Sequence, residues 1–376
     1  MNRHLLRFLI VVTVVLGYTT YKAFQLWPEH PELAGGFTLI LFSIMLSSQF
    51  IYRTGPNILG SKWFQGLAWT GALIMGLWGS FILLSIPVDL VRLLFYALGW
   101  PADIFSPLFY LAVFGISAAI TCLGFFEVMR GPRVKQVELA IPKLPPDLKG
   151  LKIAQISDLH VGPTIRKAYV ENVVAKTNAT NPDLIFITGD LADAKAASIT
   201  KHLAPLGNLK SRYGVFYVTG NHEYYWDAEG LIAMSRSLGM IPLLNENKII
   251  EINGSKVLIA GVTDPAGTNM LPGHKPDAAK AIQSNQVTAL KILLAHRPEA
   301  CYEAEPLGFD LQFSGHTHAG QFFPFNILVA LVHKYYKGLN KHGRMLLYVN
   351  PGTGYWGAAN RFAIASEISV FSLQIK

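Results

Sequence analysis

The chain divides by its apolar pattern before any single residue is considered. Residues 35–52, 63–88 and 104–126 contain no Asp, Glu, Lys or Arg. A hydrocarbon core of about 30 Å needs about 20 apolar residues of helix, so each run predicts a membrane-spanning helix. A fourth run, 8–21, is shorter and lies between Arg7 and Lys22. Read as a helix over 5–26, it spans if the Lys22 ammonium reaches toward the interface. A signal peptide starting at Arg3 and Arg7 is the rival, but no small-residue cleavage pattern follows, so an uncleaved helix is expected. Buried core helices can imitate one such run, hardly three in succession.

The pattern changes after residue 129. Residues 130–150, rich in Pro and Lys, read as a linker. Beyond them, near-continuously apolar stretches at 151–157, 183–189, 214–220, 257–262 and 289–295 predict strands covered on both faces. Residues 165–180, 196–209, 228–238 and 278–284 predict intervening helices, and 346–352 and 367–375 predict late strands. The expected architecture is an N-terminal α-helical transmembrane region (1–129), followed by a layered α/β domain (151–376).

Composition agrees with this division. The chain is 51% hydrophobic and only 15% charged, low for a soluble globule, with a mean hydropathy of +0.32. Of the net charge of +8, residues 1–129 carry +1 and the remainder +7. A basic domain suits an anionic partner, a phosphate compound or a membrane surface, and equally a merely solvated face; no nucleic acid is expected. With four spans, Arg3, Arg7, Arg53, Lys62, Arg130, Arg133 and Lys135 share one side. Glu29, Glu32, Asp89, Arg92 and Asp103 take the other. The positive-inside rule then makes both termini and the α/β domain cytoplasmic, in a multi-pass protein of the cell membrane. Cys122 and Cys301 are the only cysteines, so no disulfide framework is available.

Candidate chemistry sits at the ends of the expected strands. LKIAQIS is followed by Asp158 and His160, DLIFIT by Gly189 and Asp190, and GVFYVT by Gly220, Asn221, His222 and Glu223. LKILLA is followed by His296, and DLQFS by His316 and His318 of GHTH. The carboxyl ends of strands border the ligand crevice of open α/β sheets, so these groups can converge. One histidine after a strand is most often a satisfied polar residue; five successive strand ends delivering ligand-type groups are not explained that way.

These blocks resemble the calcineurin-like metallophosphoesterase superfamily, whose signature runs D-x-H, G-D, G-N-H-D/E, H and G-H-x-H; all five stand in order between residues 158 and 318. The neighbouring words NPDLIFITGDLAD, YVTGNHEYYW, SGHTHAGQFFP and VNPGTGYWG are similar to its membrane-attached, bacterial-type branch. The resemblance implies a four-layer αββα domain and two divalent ions. Asp158, His160, Asp190 and His318 would hold one, and Asp190, Asn221, His296 and His316 the other. Two such ions can share a hydroxide and clamp phosphoryl oxygens during in-line attack, and imidazole with carboxylate suits Mn, Fe or Zn. His222 is then free to protonate the leaving oxygen or bind the phosphoryl group. Asp193 is placed to orient it, or only to sit at a helix N-terminus. Protein phosphatases of the superfamily follow G-D-x-x-D with Arg-Gly, where this chain has Ala194 and Lys195, which argues against protein substrates. Arg297 is a candidate replacement contact, and Tyr224, Tyr225 and Trp226 are candidate crevice walls.

The leading expectation is therefore a membrane-bound phosphoesterase acting on a phosphodiester or pyrophosphate of a lipid-linked or nucleotide-linked compound. The alternatives are a membrane-moored nucleotide phosphodiesterase with a soluble substrate, and a non-enzymatic metal-binding sensor or transport partner. The last predicts missing ligands, and none is missing.

Overall fold

A computed structural model describes the chain except residues 1–2, 28 and 54–60, with side chains described for 13–25, 27, 29–44 and 61–376. Residues 54–60 belong to the expected loop between the second and third apolar runs, and that part of the reading lies outside the described residues. Four helices come first: α1 (Arg3–Leu26), α2 (Pro31–Arg53), α3 (Lys62–Ala97) and α4 (Pro107–Arg130). By length and apolarity α3 and α4 can each cross a membrane. Leu41, Trp78, Phe81 and Val113 pack α2, α3 and α4 together.

Two details depart from expectation. Helix α3 does not stop at 88 but continues through Asp89 and Arg92. Lys22 does not reach outward; it is fully buried, with Nζ 2.6 Å from Asp89 Oδ1. The Tyr18 hydroxyl donates to Asp89 at 2.5 Å and the Tyr110 hydroxyl donates to it as well. A carboxylate satisfied by an ammonium and two hydroxyls can stay inside an apolar helix bundle, where an unpaired one could not.

The C-terminal domain contains two six-stranded sheets. The first has the order β1 (Arg133–Ile141), β12 (Glu367–Ile375), β2 (Lys152–Ile156), β3 (Leu184–Thr188), β4 (Val215–Val218), β5 (Ile241–Pro242). The second runs β10 (Gly338–His342), β11 (Met345–Val349), β9 (Leu311–Ser314), β8 (Leu290–Leu294), β7 (Ser255–Gly261), β6 (Glu246–Ile252). Strands β2 to β5 are mutually parallel, as are β7, β8, β9 and β11. Ile153, Phe186 and Phe216 from the first sheet meet Ile259, Ile292 and Phe313 from the second in one buried core. A separate core lies under the helices on each outer face.

The expected linker 130–150 is therefore not all linker, because residues 133–141 form β1, parallel to β12 from Arg133 opposite Glu367 to Ile141 opposite Ile375. Only Leu139 and Ile141 of this strand are buried in the core. Its exposed charged positions hid the pattern. The edge strands β6 and β10 escaped for the same reason, being half-exposed and polar.

The segment 355–362, just after the glycine-rich NPGTG, joins this domain to the helices. Its Ala359 N–H donates to the Ala72 carbonyl at 3.1 Å and its Arg361 N–H to the Gly124 carbonyl at 3.1 Å. Trp69 of α3 packs against Tyr355 and Phe125, with ring centroids 6.3 and 5.7 Å away.

Candidate metal centre

Parallel strands end on one edge, and their carboxyl ends carry the candidate residues. β2 leads to Asp158 and His160, β3 to Asp190, β4 to Asn221, β8 to His296, and β9 to His316 and His318. Five of these have left-handed backbones: φ is 52° at Asp158, 52° at His160, 51° at Asp190, 71° at His316 and 50° at His318. Such conformations cost non-glycine residues of order 1–3 kcal/mol each and cluster at functional sites, where surrounding structure enforces them. The turns that bring these side chains inward leave no room for a Cβ, as two of their glycines show. One at Gly220 would overlap the Asp190 carboxylate, and one at Gly315 would overlap Ser157 and Asp158.

The side chains converge in three groups whose nitrogen and oxygen atoms lie within 4.8 Å of one another: Asp158, His160 and His318; Asp190, His296 and His316; and His160, Asp193 and His222. Asp190 stands between the first two, its Oδ2 3.2 Å from His296 Nε2 and 3.8 Å from His160 Nε2. His160 Nε2 and His318 Nε2 are 3.0 Å apart, and His318 Nε2 is 3.4 Å from Asp158 Oδ1. Eight of the nine expected site residues fall in these groups, and Asn221 lines the crevice beside them. His316 and His318, two residues apart on one turn, serve neighbouring groups.

Other candidates fall elsewhere. Arg297 is committed to Asp264, with Nε 2.8 Å and Nη2 3.2 Å from its two oxygens. Tyr224 is buried with its hydroxyl 3.0 Å from Thr219 and 2.7 Å from His274. Tyr225 alone of the aromatic run lines the crevice, beside His222 with ring centroids 5.4 Å apart.

The imidazoles are oriented through their second nitrogens. His296 Nδ1 donates to the Thr188 carbonyl at 2.8 Å, which leaves Nε2 facing Asp190. Asp193 Oδ1 accepts from His160 Nδ1 at 3.0 Å and from His222 Nδ1 at 2.5 Å, leaving both Nε2 atoms toward the centre. Burial opposes charge on His222, yet Asp190 and Asp193 outweigh it and, in the metal-free protein, raise its pKa to about 9. His296 is likewise lifted to about 10, Asp190 overcoming burial. His316 is lowered to about 2, by burial and then by the neighbouring His296.

The donor set fits a divalent metal. Buried carboxylates and imidazoles converge at ligand spacing, and Asn221 Oδ1 is a buried acceptor without a hydrogen-bond partner. Buried polar atoms are rarely left so, and a cation would satisfy it.

Two residues near the centre carried no assigned role. Glu223, fully buried, accepts from the N–H groups of Asp190, Leu191 and Gly220 at 3.1, 2.6 and 2.5 Å. Burial and then Asp190 raise its pKa to about 7. It stands inside the G-N-H-E block, so its position was visible although its task was not. Arg361, also fully buried, places Nη2 3.1 Å from His318 Nδ1 and donates to the carbonyls of Pro351 and Gly354. It lies outside every block.

Residues 151–320 match the calcineurin-like phosphoesterase family model. A zebrafish (Danio rerio) protein described as a transmembrane protein with metallophosphoesterase domain is 37% identical over 262 residues, 68% of this chain and 60% of its own length. The bovine (Bos taurus) protein of the same description is 37% identical over 271 residues, 69% of this chain and 61% of its own. The match thus spans about 60% of these two vertebrate relatives. A Helicobacter pylori protein described as an uncharacterized metallophosphoesterase is 33% identical over 372 residues, 97% of this chain and 96% of its own. Matched to that relative almost end to end, and carrying the converged carboxylates and imidazoles, the chain belongs to the calcineurin-like metallophosphoesterases, a family of metal-dependent phosphoric ester hydrolases.

Proposed function

We propose that the protein is a membrane-embedded phosphoesterase that hydrolyses a phosphodiester or pyrophosphate at a dinuclear metal centre facing the cytoplasm. The observation that carries this reading is the convergence of seven ligand-type side chains from five strand ends, with Asp190 between two of the groups. Asp158, His160, Asp190 and His318 would hold one ion, and Asp190, Asn221, His296 and His316 the other. When bound there, Mn, Fe or Zn would supply Lewis-acid activation of water and neutralise charge on the phosphoryl oxygens. His222, held by Asp193, presents Nε2 to the crevice and delivers a proton to the departing oxygen. Glu223 holds the backbone on either side of Asp190 and so keeps its carboxylate between the groups.

In this reading α1 to α4 span the bilayer and residues 133–376 form the hydrolase. The distribution of Lys and Arg supports placing both termini on the cytoplasmic side. The test is hydrolysis by the purified full-length chain, with Mn²⁺, Fe²⁺ or Zn²⁺ added after chelation, of phosphodiesters, pyrophosphates and cyclic nucleotides. Metal-restored cleavage of diesters or pyrophosphates is expected. Cleavage of cyclic nucleotides alone would favour a moored nucleotide phosphodiesterase, and metal binding without cleavage of any of them would make the domain a sensor.

A further inference from the structure

Next to the candidate centre lies a second, larger cavity of about 470 Å³, within the range of roughly 300–1,000 Å³ usual for small-ligand sites. Its polar lining includes His316 and His318, and its apolar walls include Met75, Gly79 and Ile82 of α3 and Phe325, Leu328 and Val329 of the helix Phe325–Val332. The smaller cavity over the centre, about 240 Å³, is lined by Asp190, Asn221 and His222 and shares His316, His318 and Trp356 with the larger one. A ligand can therefore occupy both at once, with a polar part among the candidate ligands and an apolar part beside α3.

The helix Phe325–Val332 points to what that apolar part faces. Its sequence, FNILVALV, has Asn326 as its one polar residue, and none of its side chains is buried. Leu331 and Val332 are 79% and 77% exposed. Such an exposed apolar surface is out of place in water and marks a contact with lipid or an apolar ligand. Met75, Gly79 and Ile82 belong to the charge-free run 63–88 of α3, a helix long and apolar enough to cross a bilayer. The cavity thus opens against the membrane-crossing helix, with the exposed helix alongside it.

We propose that this cavity seats an acyl chain, so that the substrate is an amphiphilic phosphate ester entering from the bilayer, its chain between α3 and the helix Phe325–Val332 and its phosphoryl group at His316 and His318. The proposal rests on the phosphoesterase reading and names its substrate class. A nucleotide or sugar phosphate alone has nothing to bury against Met75, Ile82 and Leu328.

The test uses the full-length protein in detergent, loaded with Mn²⁺, and a series of p-nitrophenyl alkyl phosphates from methyl to dodecyl, each below its micellar concentration. Water adds its oxygen to phosphorus, and p-nitrophenolate leaves with the P–O bonding pair. In the wild type kcat/KM should climb roughly threefold to fourfold per methylene until the cavity is filled. At Gly79 an added Cβ meets only Phe322 Cζ, at 3.9 Å. Gly79→Leu therefore projects into the cavity and should flatten the climb at least tenfold in the dodecyl-to-methyl ratio. That ratio is internal to each protein, so a general loss of activity cancels. As a second readout, a diazirine-bearing dodecyl phosphate should label residues 75–83 and 322–332 of the metal-free wild type, and label Gly79→Leu less. Labelling with no hydrolysis of any ester would uphold the chain seat and reject the phosphoesterase reading. Hydrolysis with no chain-length dependence would overturn the seat while that reading stands, whether or not labelling is seen, since a lipid bound there would not be substrate.

Discussion

Asp193 Oδ1 lies 2.5 Å from His222 Nδ1, which fixes the ring so that the nitrogen facing the crevice is Nε2, 3.9 Å from Asp190 Oδ2. The same carboxylate oxygen receives His160 Nδ1 at 3.0 Å. One buried carboxylate therefore orients a candidate metal ligand and a candidate acid together.

If His222 protonates the leaving oxygen, its loss matters most where the leaving group is poor. His222→Ala should keep its metals and slow alkyl esters by roughly 10²–10⁴-fold. Nitrophenyl esters, which leave unaided, should slow much less. Equal losses across a series of leaving-group pKa values would assign His222 to the phosphoryl group instead, and loss of metal would make it a ligand.

The pH profile gives an independent check. An acid must hold its proton, so alkyl ester hydrolysis should fall as pH rises through the His222 pKa. That value is about 9 in the metal-free protein, raised there against burial by Asp190 and Asp193. Cations beside Asp190 offset its charge, so the alkaline limb belongs at or below pH 9. An identical limb in His222→Ala would detach it from this residue.

Metal content tests the position of Asp190 between the two groups. Asp190→Asn should lose most of both ions together with hydrolysis, whereas His318→Ala should weaken chiefly one. Elemental analysis of the purified variants distinguishes these outcomes; two ions and full activity in Asp190→Asn would defeat the bridging role.

The pair Lys22 and Asp89, 2.6 Å apart with Lys22 fully buried, predicts a stability effect far from the centre. Lys22→Ala leaves the partly exposed Asp89 carboxylate with only its two tyrosine hydroxyls and should cost about 1.5–3 kcal/mol, read as a lower unfolding temperature in detergent. The double variant Lys22→Leu with Asp89→Leu should recover most of that loss. A double variant no more stable than the single one would show that the charges are not coupled.

The proposed orientation is tested from outside the cell. Protease added to intact cells should leave residues 133–376 uncut, and digestion should require permeabilisation. Cleavage without it would overturn the four-span reading and favour a cleaved or three-span form.

The order of the candidate ligands along the chain was legible because each follows a short apolar strand, and strand ends are local features. The apolar runs of α3 and α4 were legible for the same reason, since lack of charge over some 20 residues needs no partner to be recognised. Other features depended on contacts between distant segments. Lys22 could be read as a reaching side chain until α3 placed Asp89 beside it, 67 residues away. Residues 133–141 looked like linker until β12, far along the chain, supplied a parallel neighbour. Arg361 reaches His318 only because segment 355–362 is clamped on α3 and α4. The cavity beside His316 exists only where α3 passes the helix Phe325–Val332. Sequence determined which groups stand at the strand ends, because periodicity and turn chemistry act over a few residues. The tertiary structure decided which nitrogens face inward, which charges are paired and what surrounds the centre, because burial and pairing are set by whichever distant segments fold alongside.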